Sequence, residues 1–151
     1  MTTISLPLSF GYTVLAWVAG GLLFNQIIGS NVIKARKKYN VKYPTMYLGR
    51  NEKHAQEFNS VQRGHQNMLE VQGIVTICAL LGSLQSENCA KANAVGGVLY
   101  NVGSFLYAKG YSGAEENGSG RYKSGGGLKW LGILTAWGTC IYFGLSSSNL
   151  I

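Results

Sequence analysis

The chain has 151 residues, enough for one domain, and only 13% of them are charged, about half the share usual in soluble domains. Apolar residues reach 46%, and the formal net charge is +7. A soluble helical bundle would place charges every turn or so on its outer faces; long stretches here have none, which excludes that class.

The first element is Met1–Ile33, which contains no Lys, Arg, Asp, Glu or His. Crossing about 30 Å of hydrocarbon takes about 20 largely apolar residues, and this run is long enough. Gly20, Gly21, Asn25, Gln26 and Gly29 within it suit close helix packing and interhelical hydrogen bonds. A cleavable signal peptide is not expected, because the basic run Lys34–Lys38 follows the apolar segment instead of preceding it. Where this helix leaves the membrane lies Lys34–Tyr47, KARKKYNVKYPTMY, a topology and lipid-anchoring signal by its charge.

The second element joins a polar half to an apolar one. Its polar half, Phe58–Val71, reads FNSVQRGHQNMLEV. At about 100° per residue, Asn59, Arg63, Gln66, Asn67 and Glu70 fall on one helical face. Uncharged Val71–Ser86 follows at once. Charges at the mouth of a hydrophobic helix are costly unless they are held. Two readings stand for Arg63, Asn67 and Glu70, spaced i, i+4, i+7. One is an intramembrane structural network in which Arg63 and Glu70 satisfy each other or a neighbouring helix. The other is a site for a zwitterionic ligand, with the arginine fork on a carboxylate and the glutamate on an ammonium. His65 points about 160° away from the middle of that face.

Ala92–Ala108 is the third uncharged run and Trp130–Ile151 the fourth. The third ends in Leu99–Arg121, LYNVGSFLYAKGYSGAEENGSGR, where Tyr100, Tyr107 and Tyr111 share one helix face. They serve there as interfacial anchors or as the wall of a pocket. Arg121 follows in a glycine-rich loop, and Gly118–Gly127 is low in complexity.

Four membrane-spanning helices, an all-α bundle in a single domain over residues 1–151, is the expected architecture. Between segments one and two lie Lys34, Arg36, Lys37, Lys38, Lys42, Arg50 and Lys53; between three and four lie Lys109, Arg121, Lys123 and Lys129. Only Lys91 separates segments two and three. By the positive-inside rule the first and third loops are cytosolic and both termini lie opposite. All three polar clusters then face the cytosol. The basic charge sits at membrane boundaries, so anionic lipid explains it and nucleic acid is not an expected partner. Cys78, Cys89 and Cys140 form no metal-type spacing, and neither His54 nor His65 has a partner at ligand spacing, so no metal is expected.

KARKKYNVKYPTMY, FNSVQRGHQNMLE and YAKGY together resemble the membrane-associated proteins in eicosanoid and glutathione metabolism, over nearly the whole chain. The resemblance implies a four-helix membrane bundle assembled as a homotrimer, with glutathione bound between adjacent subunits near the cytosolic face. It implies transfer of glutathione to lipophilic electrophiles, reduction of lipid hydroperoxides, or leukotriene C4 formation, in the endoplasmic reticulum or the outer mitochondrial membrane. One branch of the family instead binds lipid without catalysis. By matching positions, Arg36 and Arg63 would hold glutathione carboxylates, and Asn67 and Glu70 its polar backbone and γ-glutamyl ammonium. His65 stands where relatives carry a polar glutathione contact, and Tyr107 and Tyr111 match tyrosines of the same pocket. Arg121 matches the arginine that stabilises the glutathione thiolate, with Lys123 as its rival. The chain departs from relatives in Val71-Gln72-Gly73, in Ser104, and in the proline-free Ser112–Gly120.

Overall fold

Apolar runs separated by polar hairpin loops fold as helices lying side by side. The computed structural model describes residues 5–112, 120–148 and 150. Among these, four long helices carry the fold and no strand occurs: α1 (Phe10–Tyr39), α2 (Ala55–Ser83), α3 (Glu87–Tyr111) and α4 (Leu128–Ser147). The ends of the first and last expected segments lie outside the described residues, as does most of Ser112–Gly120.

Each helix runs beyond its apolar core. α1 continues through the basic cluster, where Arg36, Lys37 and Lys38 in its last turn complement the helix dipole. It stops at Asn40, which takes a left-handed conformation (φ 55°) and returns its N–H to the Arg36 carbonyl. α2 begins at Ala55, so the polar stripe and the apolar run belong to one helix, as expected. α3 opens on Ser86, whose Oγ accepts from the Cys89 N–H at 3.2 Å.

α3 packs on α4, α2 packs on both, and α1 lies against α2 and α3. Trp17 stacks on Tyr100 at 5.1 Å between centroids, and Ile28, Met68, Val75, Ala79, Ala108 and Ala136 complete the central core. Polar bonds tie the helices together. Thr13 Oγ1 donates to the Ala90 carbonyl at 2.9 Å, Trp17 Nε1 to the Asn93 carbonyl at 2.7 Å, and Asn93 Nδ2 to Thr139 Oγ1 at 2.9 Å. Residues Leu15–Ala19 of α1 form a π turn, and Asn101 Nδ2 donates to the Ala16 carbonyl within it at 2.8 Å. With little water available, such bonds help specify which helices pair.

α1 and α4 are long and apolar enough to cross a membrane. At 1.5 Å per residue α2 and α3 would measure about 43 and about 37 Å, more than a hydrocarbon core of about 30 Å. They are less apolar because α2 carries the polar stripe and α3 carries Glu87, Lys91 and Lys109 in its end turns. Their outer faces are nonetheless greasy, with Ile74, Ile77 and Leu81 exposed on α2 and Val95, Val98 and Val102 on α3. Four expected segments are four helices; two meet the apolar criterion for a span.

Candidate functional site

The end of the bundle where α1 and α3 finish and α2 and α4 begin collects the polar side chains. The first connection folds back onto it. Arg36 is buried, and its guanidinium donates to the Thr45 carbonyl at 2.7 Å and lies 4.2 Å from the Tyr43 ring centre and 5.3 Å from that of Phe58. Asn59, on the predicted stripe, pins this loop: its amide exchanges two 2.9 Å hydrogen bonds with the backbone of Leu48. Gln66, also on the stripe, accepts a hydrogen bond from the Tyr47 hydroxyl. Part of the stripe therefore organises the loop.

Its remaining members lie at the α2 end of a polar corner shared with α3 and α4. Arg63 Nη1 and Glu70 Oε1 lie 2.5 Å apart, with side chains 41% and 39% exposed. Between them on the same face, Asn67 Oδ1 accepts a hydrogen bond from Lys129 Nζ. Lys129 is only 4% exposed, and its ammonium lies 3.7 Å from the centre of the Tyr107 ring. Tyr107 packs against Tyr111 at 5.8 Å and edge-on against Tyr122 at 5.6 Å. The Arg121 guanidinium lies over both flanking rings, 5.7 Å from Tyr111 and 5.2 Å from Tyr122. Glycine makes this corner possible. Gly103 brings the α3 backbone against the Lys129 backbone, and Gly64 does the same for α2 against Ala108; a Cβ at either would crowd the partner.

The opposite side of α2 faces α1 across a separate polar groove of about 400 Å³, lined by Asn25, Gln26, Ser30, Arg36, Gln62 and His65 among others. His65 Nε2 sits 2.7 Å from Asn25 Oδ1. Gln62 is buried, and its Oε1 has no hydrogen-bond partner among the described residues.

The eight residues singled out from the sequence thus fall into two groups. Arg63, Asn67, Glu70, Tyr107, Tyr111 and Arg121 gather in the α2–α3–α4 corner; Arg36 and His65 line the α1–α2 groove. Lys123, the rival to Arg121, is exposed, whereas Arg121 is half-buried among the rings. Tyr100 shares the helix face of Tyr107 and Tyr111 but lies deeper in the bundle, fully buried under Trp17, and reaches the Met68 carbonyl at 3.4 Å. Among the described residues no group of three or more His, Cys, Asp and Glu could hold a metal ion.

Sequence reasoning missed Lys129, Tyr122 and Gln62, whereas Asn25 makes the interhelical hydrogen bond expected of it. Lys129 reads as one more loop charge, yet a cation in the first turn of an apolar helix opposes the helix dipole. That conflict was a visible sign of another task for it.

The arrangement can do three things. An arginine and a carboxylate, both within reach of solvent, can open to grip a zwitterion. Two cations over tyrosine faces can hold an anion in a half-dry corner. The apolar outer faces of α2, α3 and α4 can bring a lipophilic molecule alongside. These features agree with the comparison of the chain with known families: the model of the MAPEG family matches residues 14–142, and the chain belongs to that family.

Proposed function

We propose that the protein is an integral-membrane glutathione transferase with glutathione-dependent lipid hydroperoxide reductase activity, similar to the microsomal glutathione S-transferase 3 branch. The family contains glutathione-dependent enzymes and also non-enzymatic members. The observation that carries the enzymatic reading is the gathering at one corner of the Arg63–Glu70 pair, the Asn67–Lys129 hydrogen bond, the Lys129–Tyr107 contact and the tyrosine rings beneath Arg121.

In this reading Arg63 and Glu70 exchange their mutual contact for a glutathione carboxylate and the γ-glutamyl ammonium, and Asn67 holds the peptide backbone. Tyr107 and Tyr111 wall the pocket, and Arg121 faces the sulfur. A thiol with an ordinary pKa of about 8.5 is mostly protonated at neutral pH, and the thiolate is the nucleophile. A guanidinium beside the sulfur favours the charged form and stabilises charge that develops in the reaction. In transfer, the thiolate forms a carbon–sulfur bond as the electrophile's leaving group departs or its ring opens. In reduction, two glutathione molecules become a disulfide while the hydroperoxide becomes an alcohol and water.

Arg36 and His65 lie across α2 from this corner, which supports an assembly in which the groove of one protomer faces the corner of the next. The proposed assembly is a homotrimer with glutathione between subunits. All four helices span the membrane, with the first and third loops cytosolic, in the endoplasmic reticulum or the outer mitochondrial membrane. The lipophilic electrophile or lipid hydroperoxide then arrives laterally from the bilayer.

Adding glutathione to the purified protein tests the reading: the ultraviolet absorbance of a thiolate should rise. Absence of both binding and absorbance change would leave only a lipid-binding or structural role.

A further inference from the structure

A buried lysine is normally paired, because removing an ammonium from water is costly unless the charge is met. Lys129 breaks that pattern. Its side chain is 4% exposed, its Nζ donates to the neutral Asn67 Oδ1, and a tyrosine face lies 3.7 Å away. No carboxylate lies within 4.0 Å of Nζ among the described residues; Glu70, the acidic group that acts on it from a distance, is engaged by Arg63. Arg121, a second cation, also acts on Lys129 and shares the aromatic cluster of Tyr107, Tyr111 and Tyr122. The corner therefore concentrates positive charge without a matching anion in direct contact with Lys129.

The character of the missing anion follows from the surroundings. The exposed end of the stripe, at Arg63, suits a well-hydrated carboxylate. The Lys129 end is drier and walled by rings, and Trp130, exposed on the outer face, lies 5.5 Å from the same ammonium. A large, polarisable and less hydrated anion suffers least from desolvation there.

We infer that Lys129 is a thiolate-binding residue: its ammonium, held by Asn67 and the Tyr107 face, is the direct counter-ion of the glutathione sulfur, alongside Arg121. This rests on the glutathione reading. It adds a second sulfur-facing cation, on a different helix from the rest of the stripe. Asn67 becomes a positioning residue for Lys129 as well as a peptide contact. Ionisation moves one proton from the thiol to solvent.

The test uses the full chain in lipid nanodiscs and two probes: glutathione, and S-hexylglutathione, a thioether that cannot ionise at sulfur. Lys129→Met matches the side chain in length and removes the charge; Lys129→Gln does so while keeping a donor for Asn67, in case the methionine variant fails to fold. Lys129→Arg keeps the charge. The neutral variants should bind S-hexylglutathione within about twofold of wild type and lose about tenfold in thiolate at neutral pH, a rise of about one unit in the bound thiol's pKa. Lys129→Arg should restore most of the signal. A wild-type thiolate signal in the neutral variants would overturn the inference alone, as would equal loss of both probes, which marks a carboxylate contact or a structural role. If wild type binds neither probe, the glutathione reading falls and the inference falls with it.

Discussion

Lys129 and Asn67 meet across the α2–α4 interface, where a buried ammonium donates to a side-chain amide oxygen at the centre of the polar stripe. The bond couples the stripe's geometry to the start of α4. Asn67→Ala removes the only oxygen that Lys129 reaches among the described residues. It should destabilise the protein by about 1–3 kcal/mol, the cost of stranding a buried donor. The double variant with Lys129→Met should lose less than Asn67→Ala alone, since no charge is then left stranded. Thermal unfolding in detergent reads both values, and strictly additive losses would show that the two residues do not interact.

Arg63 and Glu70 pair at 2.5 Å but remain about two-fifths exposed, so solvent screens their attraction. Arg63→Ala should change stability by at most about 1 kcal/mol. Glutathione affinity should nevertheless fall more than about tenfold, because a carboxylate loses its fork. Calorimetric titration separates the two effects. A large stability loss with unchanged affinity would make the pair a structural clamp, the alternative that the sequence leaves open.

The division of candidate residues between corner and groove makes a prediction about assembly. Arg36→Ala and Arg63→Ala should each lose most transferase activity when expressed alone. Mixed oligomers should regain a share, because some interfaces then join an intact groove to an intact corner. No recovery on mixing would place the whole site within one chain.

Acid stability should report on the opposite end of the bundle. Ser9 donates its hydroxyl and its N–H to the Glu87 carboxylate, and these bonds hold the carboxyl below its usual 4.5. A carboxyl depressed in the folded state stabilises it above the unfolded pKa, and that stabilisation is lost as pH falls through the folded value. Wild type should therefore be more stable than Ser9→Ala at neutral pH, and the gap should shrink as pH falls below the ordinary carboxyl value and through the depressed folded one. A gap that persists unchanged to pH 3 would mean that Ser9 acts through packing instead.

What the sequence made legible follows the strength of each physical signal. Helix count was readable because absent charge over long runs is a strong constraint, as in Met1–Ile33 and Trp130–Ile151. Helical periodicity put Arg63, Asn67 and Glu70 on one face and His65 away from it; that its side faces α1, where it meets Asn25, came from the packing. The same periodicity could not separate Tyr100 from Tyr107 and Tyr111. Burial under Trp17 depends on how α1 crosses α3, a tertiary fact. Asn59 shares the face of the site candidates, and a polar side chain on a helix face does not reveal whether it serves a ligand or a loop. Lys129 went unread because a charge beside an apolar run has a sufficient explanation in topology, while its burial arises from tertiary packing, with its backbone close to Gly103 and its ammonium against Asn67 and Tyr107.

The central claim is that this bundle ionises a bound thiol at its polar end. Titrating glutathione into wild type and Arg121→Ala, followed by thiolate absorbance at neutral pH, tests it most directly. The account predicts a saturable rise in wild type and its near-complete loss in Arg121→Ala, with glutathione binding partly retained and turnover reduced by about 10²–10³. An undiminished thiolate signal and full transferase activity in Arg121→Ala would contradict it.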